Sequence, residues 1–208
     1  MGRHSDRDDL SRFHEHDVHL PTRTIYLGSE TDDENGESGV NAVMVKKFIK
    51  NLRALDSASR RPITIVLNNP GGDYYHGIAI YDAIRACRSK IIIEVFGHAM
   101  SMGSVILQAA DVRIMSENSS QMIHYGTLSY SGHSKTAIRW ADQEKRINRR
   151  VEEIYWNRML EKNKSTTLVN IKTLLEHDTF LTAQESVALG LADHIKPVLK
   201  ARKAHRGR

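Results

Sequence analysis

The chain predicts an α/β fold, a parallel sheet with crossover helices, on three observations. Thr24 to Leu27 (TIYL) and Ile63 to Leu67 (ITIVL) are short apolar, β-branched runs of the kind that form strands. Between them Val40, Val43, Met44, Phe48, Leu52 and Leu55 recur near helical spacing, so the order is strand, amphipathic helix, strand, which is the signature of a βαβ unit. The stretch from Ile91 to Ala110 (IIIEVFGHAMSMGSVILQAA) then opens as a buried strand and breaks at Gly97 into small residues. It resumes as the apolar face of a helix through Val105, Ile106, Leu107 and Ala109.

The elements follow in order along the chain. Residues 1–20 are polar and rich in histidine (His4, His14, His16, His19). HEHDVH lacks the four-residue interval that lets two histidines share a helix face, and Pro21 follows at once, so no metal is expected there. Gly28 to Gly39 reads as an acidic loop and Ser57 to Arg61 as a polar connection. The Ile63 strand ends in Pro70-Gly71-Gly72, and a helix is expected from about Tyr75 to Arg88 with Ile78, Tyr81 and Ile84 on one face. Two glycines at the carboxyl end of a parallel strand let the backbone approach a ligand and point an N–H at it, although plain turns look the same. Neither phosphate-loop pattern, GxxxxGK[ST] or GxGxxG, is present.

Val112 to Met115 is the next strand, SENSSQ a polar turn, and Met122-Ile123 leads into His124. Tyr125 to Lys135 reads as a flexible or strand-like excursion. A long helix is expected from about Thr136 to Asn163 with an apolar stripe at Ile147, Val151, Ile154 and Tyr155; helices of that length protrude or pack against a partner chain. A shorter helix covers Leu168 to Glu176. Thr182 with Glu185 forms a capping box for a last helix that stops at Gly190, and ADHI is strand-like before Pro197.

With 208 residues, 40% of them hydrophobic, the chain suits one domain with a sizeable core. The expected division is a polar N-terminal segment of disordered-type composition (1–20), one folded domain (21–197) and a basic tail (198–208). The single cysteine, Cys87, excludes an internal disulfide and points to a reducing compartment. Without a membrane-length apolar run or a signal h-region, a cytoplasmic location is expected. The formal charge of +5 gathers in the tail, where no aromatic residue is interleaved; it reads as a solvated tail rather than a nucleic-acid contact.

Ser101 sits where a strand stops and a helix starts. A hydroxyl there is held out on a tight turn beside free backbone N–H groups, which suits either a nucleophile or an ordinary helix N-cap. His124, at the end of the next strand, suits either its general base or a histidine bound into the surface or core.

TIYLG, ITIVLNNPGGDYYHGIAIYDAI, GHAMSMGSVILQAA, MIH and HDTFLTAQESVALGLADHI, in that order from about Thr22 to Lys196, resemble the proteolytic subunit of the Clp proteases, the ClpP family of serine peptidases. The resemblance implies a ClpP/crotonase-like fold of stacked βαβ units with a protruding long helix for oligomerisation. It implies Ser101 as nucleophile, His124 as general base and acid, Asp178 as the residue orienting the imidazole, and the backbone N–H groups of Gly72 and Met102 as an oxyanion hole. It further implies hydrolysis of peptides or unfolded proteins without metal or cofactor, self-association into heptameric rings stacked as a tetradecamer, and an AAA+ ATPase unfoldase as partner. Membrane and nucleic acid are not expected partners.

The chain departs from the family in four places, one of them a somewhat longer segment between His124 and Asp178. His177 stands where the family usually has arginine. His124-Tyr125-Gly126-Thr127-Leu128 replaces His-Gln-Pro and a glycine-rich groove segment, and the amino-terminal segment is charged rather than apolar. The alternatives are a ring component of the same fold without effective peptidase activity, and crotonase chemistry on acyl-CoA thioesters, in which a serine and histidine so placed have no role.

Overall fold

The computed structural model describes residues 11–197 apart from 12, 30–38, 128 and 130. Most of the expected acidic loop, the first ten residues and the basic tail lie outside the described residues. The elements are β1 (Val18–His19), β2 (Thr24–Leu27), α1 (Ala42–Ala58), β3 (Ile63–Asn69), α2 (Tyr74–Arg85), β4 (Ile91–Met100), α3 (Met102–Leu107) and β5 (Val112–Ser116). They continue with β6 (Ser120–Ile123), α4 (Ser134–Lys162), α5 (Leu168–Leu175), β7 (Thr179–Thr182), α6 (Ala183–Leu189) and β8 (His194–Lys196).

The strands lie in the order β1-β2-β3-β4-β5-β8, with β6 joined to β4 and β7 to β6. All the pairings from β2 through β8 along that path are parallel, as the βαβ reading requires, and only β1–β2 and β6–β7 are antiparallel. Ile63, Ile65, Leu67, Ile91, Ile93 and Val95 alternate into the core along β3 and β4. Helix α1 covers them with Met44, Phe48, Leu52 and Leu55, and Asn41 caps it by accepting the Met44 N–H at 2.9 Å. Helix α2 buries Gly77, Ile80 and Ile84, and α3 is buried on every side.

One strand organises the site. The first part of β4 (Ile92–Val95) pairs with β5, whereas its end (His98–Met100) pairs with β6. Gly97 therefore does not end the strand, contrary to the sequence reading. It takes φ +76, the β3–β4 register shifts between Leu67 and Asn69, and Asn68 Oδ1 accepts the His98 N–H, so the ladder bends and runs on to Met100. The bend carries the carboxyl end of β4 onto β6.

The long helix α4 divides in two. Its first turns are largely exposed, with Ile138 66% accessible, and they lie beside α2, where Gln143 donates to the Tyr75 hydroxyl. From Val151 onward it docks through Val151, Ile154, Tyr155 and Met159. The Tyr155 hydroxyl donates to Ser104 Oγ (3.0 Å), and Arg158 donates to the carbonyls of Gln108 and Ala110, closing the C-terminal end of α3. Of the apolar stripe seen in the sequence, Val151, Ile154 and Tyr155 thus join the chain's own core, whereas Ile147 stays outside it, half-buried.

Arg113, 3% exposed, ties β5 to the last strand. Its guanidinium donates to Asp193 Oδ1 (2.6 Å) and Oδ2 (3.1 Å), to Gln108 Oε1 and to the Gly190 carbonyl. Half-burial pushes the Asp193 carboxyl up, but the hydrogen bonds and charge of Arg113 outweigh it and hold the group below the usual carboxylate range. A folded-state pKa below the unfolded one gives stability that is present above the ordinary carboxylate pKa and lost as pH falls through the lowered value. Asp193→Asn should therefore cost about 3 kcal/mol at neutral pH, near the lower end for a broken buried pair because Asp193 is partly open. It should also flatten the acid side of the stability profile in denaturant titrations; an unchanged profile would remove Arg113–Asp193 from the acid response.

Candidate active site

The site is assembled from the ends of three neighbouring strands, β3, β4 and β6. At the end of β3, Asn69 Oδ1 accepts the Gly71 N–H (2.9 Å) and its amide donates to the Gly28 carbonyl. The chain then turns through Gly71 (φ +112) and Gly72 (φ +136), backbone conformations that a side chain resists. The turn is clamped by Val40, whose N–H donates to the Gly71 carbonyl and whose carbonyl accepts from Asp73. A Cβ on Gly71 would lie 2.6 Å from the Ser101 Cβ, and one on Gly72 would run into the Val40 backbone. Asp73 then caps α2 by accepting the His76 N–H. The Pro-Gly-Gly stretch is therefore a close backbone approach to Ser101 rather than a plain turn.

Ser101 follows directly on β4 with φ +51 and ψ −121, a strained conformation for a residue with a side chain. Its N–H donates to the Met122 carbonyl at the end of β6, so the sheet ladder holds the strain in place. The hydroxyl makes no capping bond to α3, which disposes of the N-cap alternative. It lies 2.9 Å from His124 Nε2 instead.

His124 projects from the end of β6, and its Nδ1 lies 2.8 Å from Asp178 Oδ1. The β6–β7 register explains the second contact. Ile123 pairs with Thr179, so the residues just beyond the two antiparallel strands, His124 and Asp178, fall opposite each other. A carboxylate can only accept, so Nδ1 carries the proton and Nε2 presents its lone pair to the Ser101 hydroxyl. The carboxylate side of the chain of bonds is the open one: the Asp178 side chain is 60% exposed, that of His124 21%.

The N–H groups of Gly72 and Met102 donate to no group among the described residues. Both residues line a groove of about 340 Å³ together with Ser101 and His124. Met102, Val105, Ile147 and Val151 give it apolar walls; Tyr74, Tyr75, Trp140 and Glu144 stand around them, and Gly126 and Thr127 form part of the rim. All five residues expected at the site from the sequence, Ser101, His124, Asp178, Gly72 and Met102, thus gather at the carboxyl ends of the sheet.

Other residues were not anticipated. Tyr125, where the family pattern has glutamine, turns away from the groove. Its N–H donates to the Leu175 carbonyl (2.8 Å) and its hydroxyl to Glu152 Oε1 (2.6 Å). Burial, and the bond to Glu152, push its phenol above the ordinary range. Glu152 is 7% exposed, with Lys172 at 3.8 Å. The residue after His124 is thereby fastened to both α4 and α5. An acid within an apolar helix stripe was the only trace of this in the sequence.

A sheet of this topology with a serine and a histidine at adjoining strand ends invites comparison with known hydrolases, and the comparisons place the chain among the serine-type peptidases. The family model described as Clp protease matches residues 17–198. A relative from Deinococcus radiodurans, named ATP-dependent Clp protease proteolytic subunit, is 30% identical over 181 residues, which cover 85% of this chain and 81% of that protein. The chain belongs to the Clp protease family.

Proposed function

We propose that the protein is a serine endopeptidase acting on peptides or unfolded proteins inside an oligomeric chamber, heptameric rings stacked as a tetradecamer. The observation that carries this reading is the hydrogen-bonded series Ser101–His124–Asp178 at the mouth of an apolar groove. His124 Nε2 takes the proton of the Ser101 hydroxyl as Oγ attacks the peptide carbonyl carbon. The carbonyl oxygen becomes an oxyanion, which accepts hydrogen bonds from the N–H groups of Gly72 and Met102. These donors are fixed before the reaction by the glycine turn and by the start of α3. Asp178 holds the imidazole in the required tautomer and stabilises the imidazolium. His124 then passes its proton to the leaving amine, the C–N bond breaks, and water admitted to the same base hydrolyses the acyl-serine.

The exposed first turns of α4 are the element offered for self-association, and the family relationship makes an ATP-driven unfoldase the natural partner. No helix among the described residues is long and apolar enough to cross a membrane, which is compatible with the cytoplasmic location proposed here.

The test is labelling of the assembled protein with a fluorophosphonate probe followed by mass mapping. Adduct formation at Ser101 that disappears in His124→Ala is the expected result. No adduct in an assembled particle would overturn the peptidase reading and leave a ring component whose role is binding.

A further inference from the structure

One wall of the groove carries a charge that hydrolysis does not use. Glu144 lies on α4 within the groove lining, one turn before Ile147 and one turn after Trp140. It is half-buried, and it has neither a hydrogen bond nor an ion pair among the described residues. Asp73, at the start of α2, adds a second carboxylate to the lining, engaged through Oδ1 in capping that helix. No lysine or arginine lines the groove among the described residues; the charge of Arg150 is felt by Tyr74, but Arg150 stands outside the lining.

A carboxylate on an open surface is simply hydrated. Here an extended peptide laid along the groove toward Ser101 would cover Glu144 and strip its water, which is costly unless the peptide supplies a partner. A lysine or arginine side chain supplies it as a charge-assisted hydrogen bond, whereas an acidic side chain adds repulsion. The apolar walls formed by Met102, Val105, Ile147 and Val151 meanwhile accept an uncharged side chain. We infer that Glu144 is a specificity-determining residue that selects peptides carrying a basic residue close to an apolar one at the scissile bond and rejects acidic segments. This rests on the serine-peptidase reading above.

The test uses three fluorogenic peptides that share an apolar residue at the cleaved bond and differ only in one neighbouring residue, Lys, Gln or Glu, prepared with that residue on either side of the bond. For one placement the assembled wild-type protein should show kcat/KM at least about tenfold higher for Lys than for Glu, the size expected of one partly desolvated charge pair. Glu144→Gln should bring the ratio to within about twofold, and Glu144→Lys should invert it. Equal rates for all three peptides in both placements, or a preference that Glu144→Gln leaves intact, would overturn the assignment while the peptidase reading stands. Cleavage of none of them together with absence of fluorophosphonate labelling at Ser101 would instead overturn the peptidase reading, and the inference with it.

Discussion

Ser101→Ala should lower peptide hydrolysis by about a millionfold, and His124→Ala should fall to nearly the same floor. On the proposed mechanism the two side chains act as one device: the hydroxyl is inert without a base at 2.9 Å, and the base has nothing to activate without the hydroxyl. The double variant should accordingly be no slower than either single one. Asp178→Asn should cost less, about 10⁴-fold, because it leaves nucleophile and base in place and disturbs the tautomer. Rates on a fluorogenic peptide, with sedimentation confirming unchanged assembly, decide the matter. More than about 1% of wild-type activity in Ser101→Ala would mean that another group attacks.

The second large effect is expected at Gly72. Alanine there would have to hold φ +136 with its Cβ against the Val40 backbone, so the turn must shift and take its N–H with it. Loss of one preorganised donor to the oxyanion costs about 10²- to 10³-fold in turnover. Because the donor is engaged mainly after the carbonyl becomes tetrahedral, kcat should drop while KM changes little. A rise in KM matching the fall in kcat would assign Gly72 to substrate binding instead.

The elements legible in the sequence were those that bury one face over several residues. The periodicity of α1 and the apolar runs of β3 and of the first half of β4 announced both type and position, since burial alone specifies them. β1 escaped notice because it is only two residues long, and β7 because it buries Leu181 alone, which leaves no apolar run or alternation to mark it. At Gly97 the local signal was real, but its outcome depended on Asn68 and on β6, partners that no window of sequence reveals. Ser101 was readable from its turn and His124 from its strand. Asp178 came only through family resemblance, because a separation of 54 residues is closed by the β6–β7 register and by nothing local. Tyr125, Glu152 and Glu144 stayed hidden for a related reason: a helix stripe shows which residues face inward, but not which polar groups meet there.

The forked pairing of β4 has a bearing on how the molecule would lose function. In the proposed mechanism nucleophile and base follow directly on the paired ends of one short ladder, β4 against β6, while the larger β2–β3–β4–β5 framework holds together on its own contacts. Fraying of those few rungs would part the two side chains yet leave the bulk of the sheet standing. Silencing by local opening is thus a far smaller event than denaturation, and slow-exchanging amides across the framework would testify to folding without testifying to competence.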